Sequence, residues 1–295
     1  MAGQSVREIR RRINSVKNMR QITRAMEMVA AAKLRRAQMQ VTANRPFSRK
    51  LREVLARLVT AARSAEGDGR VEHPLLEVRE VKRVLYVVIT ADRGLAGGYN
   101  VNVLRRLQGI MDEDTREFEV VAIGRKGREY LRKRGLTPLK EYVHIGDDIP
   151  YSFARELAGE LMEAFTSGQF DEINLVYTEF VSVVTQRPVV KRLLPVEELS
   201  GSSDGEEAAL EYIYEPSPES VINILLPRFV ETEVYAALME AKASEMGARM
   251  TAMRNATDNA TEMIEELTLN YNRARQAGIT KEISEIVGGA EALAE

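Results

Sequence analysis

The sequence predicts two long α-helices near its ends, with a small α/β domain on a largely parallel sheet inserted between them. Three observations support this: a heptad repeat toward the C-terminus, a helical stretch near the N-terminus, and alternating strand-like and helix-like segments between them. The corresponding segments are 1–66 for the first helix, 67–210 for the α/β domain and 211–295 for the last helix.

The last helix carries an uncharged heptad seam. Its inner positions alternate three and four residues apart: Ile222, Leu225, Phe229, Thr232, Ala236, Met239, Ala243, Met246, Met250, Met253, Thr257, Ala260, Ile264, Leu267, Tyr271, Ala274 and Gly278. This spacing is typical of a left-handed coiled coil, so the helix needs a partner helix. Ser217 and Pro218 supply its N-cap and first residue. Pro227 is expected to kink its first turns or to mark a second start.

The first helix is the partner that the chain itself can supply. Residues 4–45 contain no Gly and no Pro, and Ser5 with Glu8 forms a capping-box pattern. Apolar side chains recur at Val6, Ile9, Ile13, Val16, Met19, Ile22, Met26 and Val29. The successive three-residue spacings around Met19 predict a stammer, with local overwinding of the coil.

The middle of the chain alternates between two kinds of segment. Residues 84–90, 118–123 and 173–177 are short β-branched runs of the kind found in buried strands. Residues 101–113, 126–134 and 151–167 between them are predicted helices. This order favours parallel strands joined by helices.

Charge is distributed unevenly along the chain. Residues 1–52 hold fourteen basic and two acidic side chains, a net charge of +12 within a chain of net charge −2. A basic helix is found in nucleic-acid binding, at membrane surfaces, in transit peptides and beside acidic protein partners. The continuous apolar stripe and the lack of interleaved aromatic residues favour a protein partner over nucleic acid.

Composition excludes several kinds of chemistry. Without cysteine there are no disulfides or thiolate metal sites, and two isolated histidines predict no metal site. No apolar run is long enough for a membrane span, and the N-terminus does not resemble a signal peptide.

One segment could bind a nucleotide. Residues 89–100 (ITADRGLAGGYN) have the layout of a strand, a Gly-rich loop and a helix start, which can hold a phosphate. Gly94, Gly97 and Gly98 match neither GxGxxG nor a P-loop. A structural turn is the first interpretation, and a nucleotide-binding α/β enzyme using loop 94–98 is the alternative.

The segment 279–292, ITKEISEIVGGAEA, resembles the C-terminal signature of the gamma subunit of F-type, proton-translocating ATP synthases. The resemblance extends to residues 9–38, to ADRGLAGGYN at 91–100, to YEPSP at 214–218 and to ARMTAMRNATDNA at 248–260. These stretches span nearly the whole chain.

The resemblance implies an antiparallel coiled coil of the two terminal helices around a Rossmann-like α/β domain. It implies a non-catalytic rotor shaft without cofactor, turning inside three alpha and three beta subunits. Further partners are the epsilon subunit and the membrane c-ring, the latter being the route of contact with the membrane. Without cysteine or a separate transit peptide, we expect no thiol control and a peripheral location on the cytoplasmic face of a bacterial membrane.

The resemblance also implies roles for individual residues. The positions that contact the catch loops of the beta subunits are Arg249, Arg275, Gln276, Thr280 and Glu282. Met26 faces the beta lever region, and Tyr212 and Glu215 contact the c-ring and epsilon. An apolar bearing surface is formed by Ile283, Ile286, Val287 and Leu293.

Overall fold

A computed structural model describes residues 6–65, 73–196, 215 and 217–294, without the side chains of 60–65, 218, 288 and 291–294. The chain forms two compact units. The helix-pair unit combines Met1–Ala30 with Arg249–Glu295, and the α/β unit is Ala31–Ala248. The two long helices each contribute residues to both units.

The two predicted long helices are both present, and each is continuous over the residues that the structure describes. Helix α1 spans Val6–Ala65 and helix α5 spans Pro218–Ala294. The N-cap prediction is confirmed, because the backbone N–H of Ser220 donates to Ser217 Oγ over 3.3 Å. Helix α5 runs through Pro227 without interruption, so the expectation of a second start there is wrong. Packing against neighbouring elements offsets the one hydrogen bond that a proline removes.

A five-stranded sheet lies at the centre of the α/β unit, in the order β3-β2-β1-β4-β5. The strands are β1 Arg83–Ile89, β2 Glu117–Ile123, β3 Lys140–Tyr142, β4 Glu172–Phe180 and β5 Gln186–Leu194. The helices between them are α2 Tyr99–Glu113, α3 Arg125–Lys133 and α4 Tyr151–Thr166, with a short 3₁₀ helix at Pro74–Leu76. Strands β1 to β4 are parallel, and β5 is antiparallel to β4. The predicted fold class is confirmed.

Burial explains which strands the sequence predicts. Six of the seven residues of β1 are buried, and this strand lies between β2 and β4. The two strands that the sequence analysis missed, β3 and β5, form the edges of the sheet. Strand β3 has only three residues, and β5 contains Pro188 and three basic residues. Edge strands tolerate proline and charge, so their apolar pattern is weak.

Helices α1 and α5 run antiparallel within the α/β unit. The guanidinium of Arg52 donates to Glu233 Oε1 over 2.9 Å, and Lys33 and Lys242 both bind Asp147. Rising residue numbers on α1 therefore face falling numbers on α5. Glu233 also accepts from Lys191 of β5 over 2.5 Å, so one buried carboxylate joins both long helices and the sheet.

Candidate functional site

The predicted seam of α5 is inward-facing along its whole length. All seventeen of its positions are buried or half-buried. Between 262 and 278, the five seam positions are the only described ones that are not exposed. The heptad therefore defines one narrow contact face in this part of the helix.

The seam of α1 differs from the sequence prediction after Val16. Met19, Ile22 and Val29 are 57%, 57% and 53% exposed, while the heptad positions Arg20, Thr23, Glu27 and Ala30 are buried or half-buried, as is Met26 next to Glu27. The heptad of α1 thus continues without a stammer, and the predicted overwinding is not needed. Apolar periodicity indicates the inward face only where that face is apolar, and the inward positions of α1 here are partly polar.

A pair of threonines links the two helices in the helix-pair unit. Thr23 Oγ1 and Thr257 Oγ1 are 2.8 Å apart. Each hydroxyl also lies within hydrogen-bond distance of a carbonyl of its own helix, Arg20 for Thr23 and Met253 for Thr257. Thr23 is buried, so the pair is a polar contact inside an otherwise mainly apolar seam. Polar seam pairs favour one helix register over others.

The seam ends where α1 no longer covers α5. Val6 lies 17 residues before Thr23, and Ala274 lies 17 residues after Thr257. In an antiparallel pair these residues lie near each other, so α5 extends past the start of α1. Every described side chain from Ile279 to Ala290 is accordingly exposed.

The predicted contact residues of the C-terminal segment lie on or next to this uncovered end. Arg275, Gln276, Thr280 and Glu282 are exposed, whereas Arg249 is half-buried. The hydroxyl of Thr280 donates to the carbonyl of Gln276 over 3.0 Å and keeps an accepting lone pair. The structure therefore brings four of the five residues together along about two helical turns.

The predicted bearing residues also lie on this end. Ile283, Ile286 and Val287 are 56%, 71% and 52% exposed, while the side chain of Leu293 lies outside the described residues. Exposure of isoleucine and valine side chains to water is unfavourable, so a group of them on the surface marks a contact with another protein.

A second apolar surface lies on α1. The exposed residues Met19, Ile22 and Val29 and the half-buried Met26 repeat with heptad spacing, one position before the inward seam. We call these four residues the α1 outer stripe. The sequence analysis found its residues but assigned them to the wrong face. Basic side chains accompany the stripe, because Arg24, Lys17 and Arg12 are exposed on the same helix.

The Gly-rich loop after β1 is closed by its own side chains. Asp92 Oδ1 accepts the backbone N–H of Arg125 over 2.9 Å, and Thr90 Oγ1 accepts that of Gly127 over 2.8 Å. These two bonds satisfy backbone N–H groups at the N-terminus of α3, the helix after β2. Gly124 between them has φ +93°, and a Cβ there would lie 2.2 Å from the carbonyl oxygen of Thr90. In the Gly-rich loop itself, which precedes α2, the backbone N–H of Ala91 donates to Asn100 Oδ1 over 2.9 Å and that of Tyr99 donates to the carbonyl of Ala96 over 3.1 Å.

Helix α5 covers the carboxyl ends of the neighbouring strands β1 and β4. Ala91, Ala96 and Tyr99 pack together with Ala248, and the hydroxyl of Ser244 donates to the carbonyl of Thr178 over 3.0 Å. In a doubly wound α/β fold, nucleotides bind at the carboxyl ends of the strands, which is the place that α5 covers here. The structure therefore supports the structural-turn interpretation over nucleotide binding.

The two remaining predicted site residues, Tyr212 and Glu215, precede α5 in the sequence. Tyr212 lies outside the described residues, and Glu215 is exposed at a bend. Among the described residues, no cluster of three or more His, Asp or Glu side chains is arranged to hold a metal ion. None of the described helices combines the length and apolar character needed to cross a bilayer.

Comparison with known proteins identifies the family. The ATP synthase family model matches residues 5–293. The ATP synthase gamma chain of Desulfitobacterium hafniense is 53% identical over 289 residues, covering 98% of this chain and 99% of that protein. The gamma chain of Desulforamulus reducens is 54% identical over the same length and with the same coverage. The chain belongs to the ATP synthase gamma chain family.

Solved structures share the fold of this family member. A chain of the Euglena gracilis mitochondrial ATP synthase in rotational state 3 matches with a TM-score of 0.67 and 21% identity, covering 98% of this chain and 94% of that one. A chain of the Tetrahymena thermophila mitochondrial enzyme matches with a TM-score of 0.61 and 23% identity, covering 80% and 99%. The resemblance found in the sequence is thus confirmed.

Proposed function

We propose that this chain is the central stalk of an F-type ATP synthase, a rotor that transmits rotation between a membrane c-ring and a catalytic alpha–beta hexamer. It couples proton flow to ATP synthesis or hydrolysis and is itself non-catalytic, with the chemistry in the beta subunits. The solved structures with this fold are described as a central stalk with c-ring and as a rotor. The gamma chain relatives extend over the full length of this chain.

The observation that carries the proposal is that the helix pair has exposed apolar faces in addition to its buried seam. Each helix buries one narrow seam, yet the α1 outer stripe and the end of α5 expose further apolar side chains. Contiguous apolar surface of this kind marks a contact with another protein. A surrounding ring of subunits would cover such a pair from every side.

The geometry supports the residue assignments that the family resemblance implies. Arg275, Gln276, Thr280 and Glu282 are exposed on the uncovered end of α5, where they are accessible to beta catch loops. Ile283, Ile286 and Val287 follow and offer apolar surface without directional hydrogen bonds, which suits a bearing. Met26 belongs to the α1 outer stripe, in reach of the beta lever region. Arg249 is half-buried at the start of the helix-pair unit and takes a smaller part in the same contact.

We further propose that the c-ring and the epsilon subunit contact the α/β unit, with Tyr212 and Glu215 at that contact. The exposure of Glu215 is compatible with this role. The chain is then a peripheral membrane protein through its partners, on the cytoplasmic face of a bacterial membrane.

The test compares two double substitutions in the reconstituted complex. Arg275→Ala with Gln276→Ala removes a guanidinium and an amide from the proposed catch-loop contact. A charge-assisted hydrogen bond contributes about 1.5 to 3 kcal/mol, so turnover is expected to fall about tenfold to a hundredfold while the complex assembles. Steady-state ATP hydrolysis and ATP-driven proton pumping are the measurements.

The matched control is Asn272→Ala with Arg273→Ala. It removes the same two chemical groups from exposed positions one helical turn earlier, next to the seam residue Tyr271. Its rates should stay within about twofold of the unsubstituted complex, as for a solvated surface change. Equal rates for the two double variants would remove Arg275 and Gln276 from the coupling contact. A chain that does not join an alpha–beta hexamer would refute the central stalk itself.

A further inference from the structure

One carboxylate in the α/β unit binds both long helices. Asp147 lies in the loop between β3 and α4, within residues 143–150. Its Oδ2 accepts from Lys33 Nζ of α1 over 2.5 Å, and its Oδ1 is 3.0 Å from Lys242 Nζ of α5. Each oxygen therefore engages a different helix. We call these three residues the Asp147 clasp.

The clasp carries two positive charges and one negative charge, and Glu245 beside Lys242 supplies the balancing negative charge. The Lys242 side chain is 13% exposed and also contacts Glu245 Oε2 over 3.3 Å. Partial burial of the Asp147 carboxyl raises its pKa, but the hydrogen bonds from Lys33 and Lys242 outweigh this and lower the pKa to about 2. The carboxylate is thus ionised at neutral pH, and both bonds are charge-assisted.

The loop that carries Asp147 is itself anchored. Ile149 is buried two residues later, and the hydroxyl of Tyr151, at the start of α4, donates to Glu231 of α5 over 2.9 Å. The ring of Tyr151 also meets that of Tyr235 edge-on, with centroids 5.3 Å apart. Helix α5 is therefore held to the start of α4 at several levels, whereas Lys33 is the α1 residue that this loop holds.

The position of the clasp along the chain is informative. Lys33 is the third residue of the α/β unit, which begins at Ala31. Lys242 lies six residues before the unit ends at Ala248. The clasp is thus close to the point where each helix passes from one unit into the other. Both helices continue from the α/β unit into the helix-pair unit, so each can carry force along the chain.

We propose that Asp147 divides a twisting load between α1 and α5, so that both helices carry torque out of the α/β unit. This rests on the proposed rotor function and adds to it one residue that couples the load to α1, beside the bond between Arg52 and Glu233. Without the clasp, the start of α4 would still hold α5 through Tyr151, while α1 would lose its bond to this loop. Packed side chains, ion pairs and rigid helices are the elements that carry coupling between distant sites.

The first experiment tests the clasp in the isolated full-length chain. The sequence has no cysteine, so spin labels can be placed only where wanted, at Arg35→Cys on α1 and Glu156→Cys on α4, both exposed and both in the α/β unit. In Asp147→Asn, electron–electron distance measurements should show that the fraction of molecules with α1 displaced rises about two- to fivefold. This is the change expected when a partly exposed ion pair is lost.

Asp148→Asn is the matched control, because it removes one charge from the next residue of the same exposed loop. It should leave the distance distribution unchanged. Asp147→Glu keeps the charge and should restore a narrow distribution, which separates loss of the ion pair from loss of loop structure. A distribution in Asp147→Asn identical to that in Asp148→Asn would overturn the clasp.

The second experiment tests torque in the reconstituted complex. A bead on the rotor reports torsional stiffness, because angular variance is inversely proportional to stiffness. If one helix takes a load that two had shared, the variance in Asp147→Asn should rise by up to about twofold, with no change in Asp148→Asn.

The two readouts separate the inference from the function on which it rests. A displaced α1 with unchanged angular variance would overturn load sharing and leave the rotor function intact. An unsubstituted chain that assembles into no rotating complex would instead overturn the rotor function and, with it, the torque-bearing role of Asp147. The distance measurement would still report whether the clasp holds α1.

Discussion

The α/β unit and the helix-pair unit bury side chains in different ways. In the α/β unit, strands such as β1 are buried on both faces and fully buried aromatic residues such as Phe165 fill the core. In the helix-pair unit each helix buries one seam, and other apolar residues such as Met19 and Ile283 remain exposed. The first unit has a closed core of its own, whereas the described part of the second has only the seam between two helices.

This comparison predicts unequal responses to substitution. A residue in the sheet core affects folding of the whole α/β unit, while a residue in the seam affects a two-helix contact. Residues on the outer faces should affect neither in the isolated chain. The following substitutions test these differences.

The largest effect is expected for Phe165→Ala. Phe165 is completely buried, and truncating a buried phenylalanine leaves a cavity that costs about 3 to 5 kcal/mol of unfolding free energy. The measurement is chemical denaturation of the isolated chain, followed by the signal of the sheet. Phe47→Ala is the control, since Phe47 is 59% exposed on α1 and should cost less than about 0.5 kcal/mol. Similar losses for both would contradict the comparison.

A smaller and local effect is expected for Ala260→Asp. Ala260 is a buried seam position of the helix-pair unit, 4% exposed, so the new carboxylate would be buried without a partner at a cost of about 3 kcal/mol. Hydrogen exchange should accelerate in residues 6–30 and 249–278 and stay unchanged in β1 and β4. Met263→Asp places the same charge at a 51% exposed position and should change neither region. Faster exchange in the sheet would show that the two units do not respond separately.

The smallest effect is expected at the threonine pair. Thr23→Val removes one hydroxyl, but Thr257 keeps its hydrogen bond to the Met253 carbonyl, so the loss should be about 1 kcal/mol. Replacing both threonines by valine should cost less than the sum of the single changes, because the contact between the two hydroxyls is lost in each single variant and can be lost only once. A double-mutant cycle by thermal unfolding measures this coupling. Strictly additive losses would mean that the two hydroxyls do not interact.

The same contrast explains what could be predicted from the sequence. The seam of α5 was found because none of its positions is charged, and the central strands β1, β2 and β4 were found because burial requires β-branched residues. The family resemblance was found because its motifs are spread along nearly the whole chain. Strands β3 and β5 were missed because edge strands carry little apolar pattern.

The sequence by itself determined the two helices, the seam of α5 and the central strands, because backbone propensity and apolar periodicity are local properties. The tertiary structure decided the face of α1. Arg20 and Thr23 lie at seam positions, whereas the apolar Met19 and Ile22 are exposed. It also decided that Asp92 and Thr90 accept hydrogen bonds from the first backbone N–H groups of α3. In the same way, it decided that Asp147 binds both long helices. Each of these depends on which distant residue lies opposite, and a sequence pattern read along one helix carries no record of that partner.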